Sequence, residues 1–138
     1  MARQDLYHGV VKSALVKEGW TITHEPYLIK IEDVKYEIDM GAEVLIGAEK
    51  EGKKIAVEVK SFIEQSTVYA FHLAIGQFVD YLVALEETEP ARVLYLAIPE
   101  AIFANFFSKQ IIQKTLERVK ARILVYDIEN EIIVKWTN

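Results

Sequence analysis

The chain has 138 residues and a mass of 15.8 kDa, a size that suits a single domain, 1–138, with its own core. Apolar residues make up 51% and charged residues 27%, which excludes wholesale disorder; the lack of cysteine excludes disulfide frameworks, thiolate metal centres and cysteine nucleophiles. With a net charge of −5 there is no overall field to attract nucleic acid, so DNA contact would need local groups such as Lys109, Lys114, Arg118, Lys120 and Arg122, which also read as a solvated helix face.

Residues 4–18 predict a helix, with Leu6, Tyr7, Val10, Val11 and Ala14 as its apolar stripe and Gly19 as its stop. Asp5, His8 and Lys12 share another flank. Trp20–His24 alternates as a strand, broken by Pro26. Residues 36–49 read as extended. Glu51-Gly52 marks a tight turn into a second run, Lys53–Phe62, in which Ile55, Val57 and Val59 face one way and Ala56, Glu58 and Lys60 the other. Ser66 or Thr67 caps a long helix to about Glu86, with Val68, Phe71, Ile75, Val79 and Leu82 as its strong apolar face and Ala70, Ala74, Gln77 and Tyr81 on its reverse, so that cover on both sides is expected. Arg92–Ile98 reads as a buried strand. Short helices follow near 101–107 and 109–119, then strands at 122–126 and 132–136. Phe103, Phe106 and Phe107 read mainly as core packing. The fold class expected is α/β (α+β), with a mixed central sheet flanked by helices. No run of eighteen apolar residues and no apolar leader occur, so the expectation is a cytoplasmic chain without a membrane span.

Two charges, Glu58 and Lys60, stand in an otherwise apolar strand. Burying a charge is costly unless it is paired or metal-bound. A surface ion pair on a solvated sheet face is the plain alternative. Upstream, Asp39 stands in or at the start of the preceding strand, and hairpin pairing can bring it beside Glu58. Two carboxylates and an ammonium group can hold Mg²⁺ and act on a phosphate. His24 and His72 have no metal-motif spacing and read as structural.

Asp39, then Glu58-Val59-Lys60 in an apolar strand, then a helix carrying Gln77, resembles the PD-(D/E)XK nuclease core, whose αβββαβ order (a restriction-endonuclease-like fold) matches residues 4–98. Ile38 stands where that core has proline. A closer resemblance, over nearly the whole chain, is to the XisH family. It rests on Asp5-Leu6-Tyr7-His8, Gly19–Tyr27, Ile38–Glu43, Lys54–Phe62 and Ala74-Ile75-Gly76-Gln77-Phe78. That family is described as controlling excision of the fdxN DNA element in cyanobacteria, with a companion protein, XisI.

The resemblance implies that Asp39 and Glu58 are metal ligands for Mg²⁺ or Mn²⁺, with the Val59 backbone carbonyl as a third oxygen. Lys60 would be the catalytic lysine, Gln77 would reach the site from the long helix, and Asp5 would be the acidic residue of the first helix. His8 and Glu43 are accessory candidates. Plain structural roles compete: the helix dipole favours Asp5 at an N-terminus, and Gln77 suits a buried amide. Two functions stay open, a Mg²⁺-dependent DNA endonuclease and a nuclease-fold regulatory module acting through a protein partner. The alternation at 131–136 offers an edge strand for a homodimer. No Ser-His-Asp order or glycine-rich phosphate loop supports a small-molecule hydrolase.

Overall fold

In the computed structural model, which describes residues 3–36, 45–63 and 66–137, the chain opens with α1 (Arg3–Lys17). Val10, Val11, Ala14 and Leu15 bury one stripe of it. Gly19, at φ +92°, turns the chain out of the helix in a conformation that costs a side-chain-bearing residue more than glycine. The Trp20 N–H then donates back to the Leu15 carbonyl at 3.0 Å. Next comes β1 (Thr21–His24). A small antiparallel pair, β2 (Ile29–Ile31) and β3 (Val34–Tyr36), follows as a separate sheet and adds two strands to the expected element order. Strands of three residues are too short for alternation to register.

β4 (Leu45–Lys50) and β5 (Lys53–Val59) form the expected hairpin, with Glu51 at φ 51° and Gly52 at φ 81°, both left-handed as a tight primed turn requires. α2 (Thr67–Thr88) starts at Ser66, whose side chain accepts the Tyr69 N–H at 3.1 Å. β6 (Val93–Pro99) leads into α3 (Glu100–Ile102), which runs on as a π turn over Phe103–Phe107. α4 (Gln110–Val119), β7 (Ile123–Asp127) and β8 (Ile132–Trp136) complete the described chain.

Six strands make one mixed sheet in the order β1-β4-β5-β6-β7-β8. The β5–β6 and β6–β7 pairs are parallel and the others antiparallel. Alternation splits the core into two layers. Ile46, Ile55, Val57, Val59, Leu124 and Tyr126 pack with the α1 residues Val10, Val11 and Leu15. Ala56, Leu94, Leu96, Ile98, Ile123 and Val125 pack with α2, Phe107 and Leu116. Phe107 is buried and Phe103 and Phe106 are half-buried against the same layer, as the core reading of these rings expects.

α2 is covered on one side, where cover on both was expected. Ala70, Phe71, Ala74, Phe78, Tyr81, Ala84 and Leu85 meet the core, while Val68 and Val79 are exposed. Alanines at the contact let the helix approach the sheet closely, and the larger Phe78 and Tyr81 fill what remains. By length and composition alone α2 could cross a membrane, but its Phe71, Phe78 and Tyr81 flank is taken up by the sheet.

Candidate functional site

Strand alternation in β5 turns Ala56 and Glu58 toward α2 and Val57 and Val59 toward α1. Glu58 is 0% exposed and Lys60, just past the strand, 5%. The Lys60 Nζ lies 3.5 Å from Glu58 Oε2 and donates to Gln77 Oε1 on α2. A solvated surface pair is therefore excluded: the two charges are held inside the protein, where each strongly favours an oppositely charged neighbour. Gln77, half-buried, fixes the ammonium from the helix side.

The backbone of Lys60 is pinned as well. Its N–H donates to the Ala97 carbonyl at 3.1 Å, and its carbonyl accepts the Tyr126 hydroxyl at 3.0 Å. Val59, the last residue of β5, is buried opposite Ala97 of β6. Tyr126, through its bond to the Lys60 carbonyl, and the buried Ser61, next to Lys60 in the chain, are neighbours of the pair that the sequence reading missed. The available signal for Tyr126 was a phenol ending an apolar strand, since a buried hydroxyl needs a partner.

Asp39 and Glu43 lie outside the described residues. The hairpin register sets Leu45 opposite Glu58. Asp5 is in the first turn of α1, on the helix that covers the opposite face of the sheet from Glu58; its side chain lies outside the described residues. His8 is engaged elsewhere: its Nε2 is 2.5 Å from Glu25 Oε2, and Lys12 Nζ is 2.8 Å from Glu25 Oε1. Desolvation raises the Glu25 carboxyl, and the hydrogen bonds and charges of Lys12 and His8 outweigh it, leaving the group below its ordinary value. His24 bonds Thr23 Oγ1 at 2.9 Å and stacks edge-on to Tyr27, a structural role. His72 is exposed on α2. Among the described residues no three His, Asp or Glu side chains converge as a metal cluster.

An α/β domain is thus defined, with a mixed sheet covered by helices on both faces and a Glu-x-Lys pair sunk between β5 and α2. The chain belongs to the XisH family: the family described as XisH protein matches residues 1–134. It is similar to the crystal structure of an XisH family protein from Nostoc punctiforme PCC 73102, with 43% identity and a TM-score of 0.89 over 97% of this chain and 100% of that one. It is also similar to the crystal structure of a fdxN element excision controlling factor protein from Anabaena variabilis, with 44% identity and a TM-score of 0.89 over 97% of this chain and 99% of that one. No curated protein matches the chain.

Proposed function

We propose that the chain is a cytoplasmic factor controlling excision of a DNA element, and that it hydrolyses DNA phosphodiester bonds at Glu58 and Lys60 in the manner of a PD-(D/E)XK nuclease. The observation that carries the chemistry is the wholly buried Glu58 carboxylate with the Lys60 ammonium 3.5 Å away. The excision role rests on family membership and on the Anabaena variabilis relative.

The donor set suits a hard divalent cation, since a buried carboxylate supplies the oxygen that Mg²⁺ or Mn²⁺ prefers. Glu58 would hold it, with the Val59 carbonyl and Asp39 as further oxygens. When bound, the cation would polarise a phosphoryl oxygen and lower the pKa of a water. Lys60, oriented by Gln77, would donate to the phosphate as negative charge builds on it. The water oxygen would bond to phosphorus as the P–O3′ bond breaks, and the proton that the water releases would balance the one that the 3′ oxygen takes up from solvent.

A second reading is a regulatory module without cleavage, acting through an XisI-like companion. The same ion pair favours it, because Lys60 already neutralises Glu58.

Purified protein incubated with linear, supercoiled and branched DNA and Mg²⁺ or Mn²⁺ separates the two. Cleavage is expected, falling by about 100-fold in Lys60→Met and in Glu58→Gln. Mn²⁺ is expected to raise the melting temperature of the wild type and not of Glu58→Gln. Intact DNA together with no Mn²⁺ shift would leave the regulatory reading.

A further inference from the structure

The outer flank of α2 carries an exposed apolar stripe: Val68 (52% exposed), Tyr69 (59%), Leu73 (39%), Val79 (37%) and Val83 (51%). Tyr69, Leu73, Gly76, Val79 and Val83 follow one another at steps of four, three, three and four, so they share one flank of the helix, with Val68 beside them. Contiguous apolar surface of this kind marks an interaction site. Gly76 lies at its centre and is exposed, and a side chain there would meet nothing within 4 Å.

The strip is self-complementary about Gly76. Residues at equal distances on either side match: Leu73 with Val79, Tyr69 with Val83, and His72 with Asp80. In two helices crossing antiparallel on a two-fold axis at Gly76, each of these would meet its counterpart on the other copy. Apolar groups would face apolar groups, and the exposed imidazole would face the exposed carboxylate. The missing side chain at 76 lets the two backbones approach at the crossing.

The charges at the ends fit the same arrangement. α2 has no acidic residue in its first turn and no basic residue in its last. Glu86 and Glu87 stand near its C-terminus, where the helix's own dipole disfavours them. An antiparallel partner brings its N-terminus alongside, since Glu86 and Ser66 are equally far from Gly76. Each dipole would then face the other copy's carboxylates favourably.

We propose that this face of α2 is the interface between two copies of the chain, packed antiparallel across a two-fold axis at Gly76. The surface is distinct from the β8 edge and does not depend on nuclease activity.

Sedimentation of the full chain at micromolar concentration tests this. The wild type is expected to run at twice 15.8 kDa. Gly76→Leu and Leu73→Glu are expected to run as monomers with unchanged far-UV circular dichroism, because neither side chain is needed by the protomer's own core. Asp80→Lys should weaken the dimer, and His72→Glu combined with Asp80→Lys should restore it. Because the chain has no cysteine, Gly76→Cys gives one thiol on the axis and is expected to oxidise to a covalent dimer, whereas Ile111→Cys, on exposed α4 surface, is not. A wild type that stays at 15.8 kDa would overturn the proposal, pointing to another protein or a lipid surface as the occupant. A dimer that survives both Gly76→Leu and Leu73→Glu would overturn it too.

Discussion

Glu58 and Lys60 bind each other's fate at the level of single side chains. With the carboxylate fully buried, removing only the ammonium takes away its counter-charge in a medium that solvates a charge poorly. Lys60→Met is therefore expected to cost about 3 kcal/mol of stability, while Glu58→Met combined with Lys60→Met, which removes both charges, should cost far less. Urea unfolding followed by circular dichroism measures both together with Glu58→Met, and a double-variant loss equal to the sum of the two single losses would show that the pair is not coupled. Glu25 obeys a different sign rule. Its carboxyl titrates below its ordinary value of 4.5 in the folded chain, so it binds protons less readily there than when unfolded. Its contribution is full above pH 4.5 and is lost as the pH falls through the lower folded value. Glu25→Gln should thus be less stable than wild type at neutral pH, by a small margin because the group is partly solvated, and the gap should close in acid. A gap that widens in acid would contradict the contacts from Lys12 and His8.

At the scale of elements, the β1–β4 contact depends on a residue without a side chain. A Cβ on Gly47 would lie 2.7 Å from Tyr27 and 2.9 Å from His24 Nδ1. Gly47→Ala is expected to lower stability by about 2 kcal/mol through that overlap, against about 1 kcal/mol for Ser66→Ala at the α2 cap; thermal unfolding of the two variants gives the order. The cap was legible in the sequence because it is local chemistry, and so was the β4–β5 hairpin, written in Glu51-Gly52. The facing of Glu58 and Lys60 was legible because strand periodicity is strict. The buried side of α2 was not. Its sequence is apolar around most of the circumference, so periodicity could not choose between a flank of alanines with Phe78 and a flank with Val68 and Val79. The sheet makes that choice by how closely it lets the helix approach. The π turn at Phe103–Phe107 and the clasp of Tyr126 on Lys60 arise from contacts distant in sequence, which no local pattern carries. The Glu58 partner in β4 was likewise a matter of register, and it is Leu45.

Over the whole molecule, one sheet lies between two apolar layers, and the same strands build both. In β5 alone, Ala56 enters the α2 layer while Val57 and Val59 enter the α1 layer. Loss of either layer would expose one face of β4 to β7 and withdraw support from the other. The two layers are therefore expected to melt as a unit. The chain's two tryptophans make this measurable, since Trp20 and Trp136, with ring centroids 5.9 Å apart, both sit on the α1 side. Their fluorescence reports that layer alone. The helical circular dichroism signal is weighted toward α2, the longest helix described, on the other side. Guanidinium unfolding followed by both signals should give one midpoint and one slope. If tryptophan emission shifted at a lower denaturant concentration than the helical signal, the α1 layer would be able to peel from the sheet while α2 stayed packed, and the sheet would not couple its two faces.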